Sequence, residues 1–492
     1  MKKMNNHTIL LLVACSAFAL LGCKKYLEQA PDQRTQINTP EKVGKLLVTA
    51  YPSGNYMMFA EAMTDNVTDN YVEGRTDAIN TDSYFWRDVR SISRDSPTSY
   101  WNDAYKAIAV ANHALRAIEE MGAGSDYLPW KGEALLARAY AHFMLVNLFS
   151  RSYDKNTADG DLGVPYVTQP ETVVEQSYSR HSVEYVYEQI EKDLKEGLPL
   201  LKDDVYSVAP FHFTRKAAHA FATRFYLFWQ KPEKAIEHAN SVFPDGNIVG
   251  KMRPWTGRYR NLSYNELAVE YTKATEPANL LLIETQSWWG SRWRDYRYST
   301  SVGQRNQIFG LSGERNITGG TLAYITGQVG LTSYYVRKFT YFFARIGGSS
   351  GTTGYGYTVI PALTTEEVLF NRAEAYIMLE RYDDALNDIN TFIRQRVMDY
   401  NPATHDLTLD KAKAYYAVSQ DNEALIKAIL DLKRPEFIHE GMRWFDILRH
   451  RLPVVHMDIE GRSYTLTAND LRKTLQLPQE ALNDPGIQPN PR

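Results

Sequence analysis

Tyr226-Leu-Phe-Trp-Gln-Lys-Pro-Glu-Lys-Ala-Ile-Glu-His-Ala-Asn240 and Tyr376-Ile-Met-Leu-Glu-Arg-Tyr-Asp-Asp-Ala-Leu-Asn-Asp-Ile-Asn390 are two copies of one pattern. Tyr, Ala and Asn fall at the same offsets, and the residues between them are of similar type. Each copy reads as the end of one helix, a tight turn and the start of a second helix, with Pro232 opening the second helix of the first copy. A small residue at the crossing lets two helices close on each other. The pattern predicts a helix–turn–helix over 216–243 and helices from Thr364 to Arg396.

Helical spacing continues outward from these copies. Trp101, Tyr105, Ile108, Asn112, Leu115 and Ile118 recur every three to four residues and line one helix face, which Gly122 and Gly124 end. Lys131 to Phe149 reads as a second helix with Ala134, Ala137 and Ala141 on one side. Ser182 is placed as the N-cap of a helix through Val183, Val186, Ile190, Leu194 and Leu198. Glu41 to Tyr51 and Asn422 to Arg449 complete the helical regions. The pair at 101–149 has a related Ala/Tyr/Phe pattern. The hairpins resemble the tetratricopeptide repeat, but long inserts separate the copies, so several hairpins are expected and not one regular array.

Residues 244–363 break this pattern. Gly, Trp, Tyr, Arg and Ser dominate, and irregular inserts of that length are usually functional. Within it, Trp288, Trp289, Trp293, Tyr296 and Tyr298 stand beside Arg292, Arg294 and Asp295 without helical period. Sugar rings present C–H faces that stack on aromatic rings, while their hydroxyls need Arg, Asp, Asn or Gln at the edge. The segment is therefore a candidate ligand site, through Trp288, Trp289, Trp293, Tyr296 and Arg292. A loop from Asn80 to Trp86 is the second candidate, through Asn80 and Trp86. Gly347–Gly356 lacks the Gly-Lys-Ser/Thr ending of a phosphate loop and reads as a flexible loop.

The N-terminus carries Lys2 and Lys3, an apolar run from Ile9 to Leu21, and Leu20-Leu21-Gly22-Cys23. That is a secretory signal, and the run is shorter than the roughly 20 apolar residues of a membrane span. The last four residues look like a bacterial lipobox, which makes Cys23 the lipidation site. The chain divides into a signal at 1–22, a lipidated tether at 23–40, and a body at 41–492. The body has a helical part at 41–243, a loop-rich insert at 244–363 and a second helical part at 364–492. Net charge is −3, and the leader removes two further positive charges, which argues against a nucleic-acid partner. Of the two cysteines, Cys15 leaves with the signal and Cys23 carries lipid. The body therefore has no disulfide or thiolate metal site, and its stability rests on packing. The 33 Tyr and 9 Trp exceed what a core needs and point to a recognition surface.

Signals for catalysis are weak. Asp65 and Asp69 have the spacing of one helix face, where solvation or capping explains them. His142, in an apolar helix, reads as a satisfied core histidine. His439-Glu440 lacks the second histidine of a zinc helix, and no Gly-x-Ser-x-Gly or Walker pattern is present. Asp154–Gly160 places its glycine one position late for an EF-hand and reads as a turn. In Glu440–Arg449, the pairs Glu440/Arg443 and Asp446/Arg449 can form along one helix face, a structural role.

Several segments in shared order resemble the RagB/SusD family of outer-membrane nutrient-binding lipoproteins. They are the lipobox followed by Tyr26-Leu27-Glu28 and Pro31, the Trp101…Tyr105…Ile108…Asn112 helix, and Gly132-Glu-Ala134…Arg138-Ala-Tyr-Ala-His-Phe143. Gly163-Val-Pro165, Glu367-Val-Leu369…Arg372-Ala-Glu-Ala375 and Ile389-Asn390…Arg396 follow. Glu440-Gly-Met-Arg443-Trp-Phe-Asp446-Ile-Leu-Arg449 and a closing Leu477-Pro478…Asn490-Pro491 end the series. The resemblance implies a mainly α fold of tetratricopeptide-like hairpins, with the ligand site in the loop-rich insert. It implies a SusC-type TonB-dependent barrel as partner, over which the lipoprotein acts as a hinged lid that captures glycan or, in some members, peptide. No cofactor, metal or catalytic residue is implied. Lys24 and Lys25 follow the lipid cysteine where an acidic export tag would stand, and Leu135 replaces an arginine usual after the family's Gly-Glu-Ala. The expected function is glycan capture at the cell surface. The alternatives are a peptide-binding lid, a surface glycan hydrolase and a scaffold that binds only protein.

Overall fold

The computed structural model describes residues 37–70, 75–122, 124–170, 177–292, 295–330, 332–346 and 353–492. The first half is helical: α1 (Pro40–Leu47), α2 (Met57–Ala62), β1 (Thr68–Asp69), α3 (Ala78–Tyr84), α4 (Pro97–Glu120), α5 (Leu128–Phe149), α6 (Val183–Gly197), α7 (Arg215–Phe228) and α8 (Pro232–Val242). The middle is mixed: α9 (Tyr264–Tyr271), β2 (Asn279–Thr285), α10 (Trp289–Arg292), β3 (Tyr298–Ser299), α11 (Val302–Phe309), β4 (Thr326–Val329), β5 (Ser333–Val336), β6 (Phe342–Arg345) and β7 (Gly354–Thr364). Helices return with α12 (Thr365–Met378), α13 (Tyr382–Arg394), α14 (Pro402–His405), α15 (Leu409–Tyr416), α16 (Asp421–Glu436) and α17 (Met442–Arg449). The chain closes with β8 (Val454–Met457), β9 (Ser463–Leu466) and α18 (Gln479–Leu482). The fold is mainly α, as the sequence implies.

The two repeat copies share one turn, atom for atom. Gln230 and Glu380, at the same offset, both take left-handed backbone with φ of 56° and 58°. Lys231 N donates to Tyr226 O at 2.8 Å, and Arg381 N donates to Tyr376 O at 2.9 Å. Ala235 and Ala385 are completely buried where the second helix crosses the first. The hairpins α7–α8 and α12–α13 also pack on each other, and Arg372 of α12 reaches Asn240 of α8 at 2.8 Å.

Helices α5 and α6 meet through two glycines. A β-carbon on Gly132 would lie 2.7 Å from Gly197 O, and one on Gly197 would lie 2.9 Å from Gly132 O. Between the same helices Arg138 grips Asp193 with two bonds of 2.7 Å, and Tyr166 donates to the same carboxylate at 2.7 Å. Both charges are buried, so each depends on the other for stability. His142 is a satisfied core residue, as expected. Its Nδ1 lies 2.9 Å from Arg138 O, its Nε2 lies 3.0 Å from Val167 N, and burial pushes its pKa down to about 3. Ser182 caps α6 by accepting from Tyr185 N at 3.2 Å.

Several expectations are corrected. Asn80–Trp86 is not a loop: Asp77 caps α3 by accepting from Ile79 N and Asn80 N, so most of that stretch is helix. Gly347–Gly356 is not simply a loop. Residues 347–352 lie outside those described, and Gly354 begins β7, the central strand of the antiparallel sheet β2-β7-β6. Helical spacing misplaced Asp65 and Asp69. Asp69 sits in β1 and Asp65 in the turn after α2. The charges of the Glu440–Arg449 segment do not pair along their own helix. Glu440 accepts from Lys338 at 2.7 Å, and Arg443 grips Asp65 at 2.8–2.9 Å. Asp446 meets Lys433 and Arg449 meets Glu374. The segment is structural through tertiary pairs, because burial makes a distant partner worth more than an exposed neighbour.

Candidate functional site

Strand β7 ties the helical body to an exposed hairpin. Its C-terminal half is buried, and Thr364 caps α12 by accepting from Glu367 N at 3.3 Å. Glu366 and Glu367, in the first turn of α12, are bound by Arg253 and Arg396 and by Arg224. The other half of β7 pairs with β6, in the register Phe342↔Tyr357 and Phe343↔Gly356.

Two glycines on β7 make a bed for two rings from the β6 side. A β-carbon on Gly356 would lie 2.7 Å from the Tyr341 ring, and one on Gly354 would lie 2.9 Å from the Phe343 ring. Trp288 lies against both rings, with centroids 5.8 Å from Tyr341 and 6.2 Å from Phe343 and interplanar angles of 27° and 28°. The Arg292 guanidinium sits 4.5 Å from the Trp288 ring, and the Arg94 guanidinium 4.6 Å from the Tyr355 ring. Phe343 is 38% exposed, which makes this a solvent-facing cluster and not core, and Tyr355, 40% exposed, points to the other face of the ribbon.

Asp95 positions Trp288. Its backbone is left-handed at φ 66°, and its carboxylate accepts from Trp288 N at 3.0 Å and from the Ser287 hydroxyl. Burial pushes this carboxyl up to about 6, against the two bonds that favour its charged form. Ser287 N donates to Gly356 O at 3.0 Å, so the chain is still attached to the sheet where Trp288 begins.

The sequence-selected residues separate at this point. Trp288 and Arg292 reach the surface, both half-buried. Trp289 turns inward, where its indole donates to His439 O at 3.0 Å and its ring stacks on Tyr296 at 6.2 Å. Trp289 and Tyr296 are each 3% exposed. Asn80 is buried and holds the backbone of Tyr298 with two bonds of 3.1 Å. Trp86 is buried, donates to Met63 O at 3.0 Å and stacks on His456 at 4.4 Å. The backbone turns into α10 after Trp288, which sends neighbouring tryptophans in different directions. The helical turn and buried pairings of Asn80 and Trp86 place them in the interior. Trp293 and Cys23 lie outside the described residues. Tyr341, Phe343 and Tyr355 were missed, although the alternation in Gly354-Tyr-Gly-Tyr357 is a period-two signal for a strand.

Asp65 and Asp69, the two carboxylates singled out in the sequence, are each held by arginine. Burial opposes the charge on Asp65, yet Arg434 and Arg443 hold it well below the usual range. Asp69 is bound by Arg297 with two bonds of 2.7 Å. Among the described residues, no group of three or more His, Cys, Asp or Glu could hold a metal ion.

Comparison with known proteins places this architecture. Residues 25–227 match a SusD-like family model described as starch-binding and associating with the outer membrane. Residues 283–485 match the model of the SusD family. A SusD superfamily protein of Bacteroides thetaiotaomicron is similar in structure with a TM-score of 0.66 at 21% identity, over 92% of this chain and 100% of that one. A SusD superfamily protein of Bacteroides vulgatus gives 0.69 at 18% identity, over 92% and 99%. A SusD-like carbohydrate binding protein of Bacteroides vulgatus gives 0.62 at 17%, over 88% and 89%. No curated protein matches. With family models matching both halves in order and the fold shared over nearly the whole length, the chain belongs to the SusD/RagB family.

Proposed function

We propose that this chain is a cell-surface lipoprotein that captures oligosaccharide or polysaccharide and delivers it to a SusC-type TonB-dependent outer-membrane transporter. The observation that carries this reading is the solvent-facing aromatic cluster of Trp288, Tyr341 and Phe343, edged by Arg292, with Arg94 on Tyr355 across the ribbon. Flat rings on a sheet and a helical turn offer stacking faces at low entropic cost, and the guanidiniums offer donors to sugar hydroxyls. The starch-binding description of one family model and the carbohydrate-binding relative support the same ligand class. Binding without chemistry agrees with Asp65 and Asp69 being held by arginines. Among the described residues no helix is long and apolar enough to cross a membrane, and the anchor in this reading is acyl chain on Cys23.

The test is a binding screen of the mature chain against soluble polysaccharides and a peptide mixture, repeated with Trp288→Ala and Phe343→Ala. Binding to one glycan, weakened in both folded variants and without sugar release, supports the reading. Binding to peptides alone, release of sugar, or glycan binding indifferent to both changes overturns it.

A further inference from the structure

A buried carboxyl stands behind the surface ring on which the glycan reading depends. Asp95 is 2% exposed, and the segment around it joins three parts of the molecule. Arg94 lies on the Tyr355 ring of β7, Asp95 holds the backbone ahead of α10, and Ser96 caps α4 by accepting from Ser99 N at 3.1 Å. The chain on either side of Trp288 is bonded to β7. Ser287 N donates to Gly356 O at 3.0 Å, and Gly290 N donates to the Thr358 hydroxyl at 3.0 Å. Trp288 itself is held differently. Among the described residues, its carbonyl is bonded only by Ser291 and Arg292 of its own turn, and its N–H only by Asp95.

Both oxygens of Asp95 serve as acceptors. One takes the Trp288 N–H and the other the Ser287 hydroxyl, which in turn accepts from Trp289 N at 2.9 Å. A proton added to either oxygen therefore points at a donor. On the first it opposes the Trp288 N–H, and on the second it forces the Ser287 hydroxyl to turn. Burial favours that proton and the two bonds oppose it, which leaves the carboxyl at about 6. Of the charges that face it, Asp77 at the cap of α3 pushes it up and Arg94 pulls it down. Tyr296, which feels the Asp95 charge, is held far above its usual range. His439, whose carbonyl takes the Trp289 indole, is held well below its own. Neither of these changes charge near pH 6.

We infer that Asp95 is a positioning residue that makes ligand capture acid-sensitive: its protonation loosens the Trp288 turn, and a ligand stacked on that ring favours the ionised carboxyl. The two bonds favour ionisation, so by linkage protonation weakens them. The capture half of the inference rests on the proposed function, and the hold on Trp288 does not.

The test follows Trp288 emission in the mature chain without ligand, from about pH 7.5 to about pH 5. The Trp288 signal is the difference from Trp288→Phe, taken in the wild-type and Asp95→Asn backgrounds. The wild-type signal is expected to change with a midpoint at about 6, and the Asp95→Asn signal to stay flat. Ser287→Ala removes one bond to the charged form and should move the midpoint upward. A glycan found in the binding screen is then titrated over the same range. Wild-type affinity should fall about threefold or more toward the acid end, while Asp95→Asn binds at the weaker level throughout, because an amide has one acceptor oxygen for two donors. Emission that ignores pH, or that titrates equally in Asp95→Asn, overturns the inference whatever the chain binds. So does a glycan affinity with the same pH profile in both. Emission that titrates in a chain binding no glycan keeps the hold on Trp288 and overturns the capture reading, so the two fail separately.

Discussion

In the hairpins α7–α8 and α12–α13, the bonds that set the geometry join sequence neighbours, such as Lys231 N to Tyr226 O and Arg381 N to Tyr376 O. Around Trp288 they do not: the carboxylate that holds its backbone comes from Asp95, 193 positions away. The first region can form wherever its own pattern is intact. The second exists only when the whole body has folded around it. Stability and recognition should therefore respond to different substitutions, and the following changes would break or sharpen that division.

The largest effect is expected in the scaffold. Asp193→Ala leaves Arg138 buried without its carboxylate, and should lower the unfolding free energy by about 3–5 kcal/mol. Urea unfolding checks the loss, and glycan affinity of the folded fraction should be unchanged. Trp288→Ala should do the reverse. A central ring of a binding face is worth about 2 kcal/mol or more, roughly thirtyfold in affinity, while its partly buried position limits the loss of stability to about 1–3 kcal/mol, below that of Asp193→Ala. Paired binding and unfolding measurements on this variant would erase the division if both moved together.

Acid titration probes the two regions with opposite signs. Burial holds His142 near 3, below its ordinary 6.5, so the unfolded chain takes up this proton first. Its contribution to stability is full above pH 6.5 and is lost as the pH falls toward 3. Asp95 is raised to about 6 from 3.8, so here the folded chain takes up the proton first. Its cost is present above pH 6 and is relieved as the pH falls toward 3.8. Unfolding measured from pH 7 to 4 should therefore show a shallower acid limb in His142→Gln and a steeper one in Asp95→Asn. The smallest effect is a gain. Glu380→Gly and Gln230→Gly each relieve a left-handed residue and should raise stability by about 0.5–1 kcal/mol. Unequal gains would show that the two turns are not equivalent.

Legibility in the sequence follows the same division. Helix faces such as Trp101–Ile118, the cap at Ser182 and the repeat of Tyr, Ala and Asn are local signals, and they were readable. Trp288 and Trp289 are neighbours of one type, and no local rule says which faces solvent. The contacts that decide it, with Asp95 and His439, are distant in sequence. The pairings of Arg443 with Asp65 and of Lys338 with Glu440 were hidden for the same reason. The ring bed of Gly354 and Gly356 gave a signal in its alternation, but a glycine-rich composition reads more readily as a loop.

The two glycines of β7 also act as a key for alignment. Aromatic side chains occur on both faces of the β6–β7 ribbon: Tyr341 and Phe343 on one, Phe342 and Tyr357 on the other, the latter stacked at 5.1 Å. Slipping β6 by one residue would bring Phe342 to the Trp288 face in place of Tyr341 and Phe343 and still leave a ring there. Only the observed alignment puts Gly354 and Gly356 beneath Phe343 and Tyr341, where any β-carbon would collide. What the ribbon lacks thus selects which of its two aromatic faces lies against Trp288.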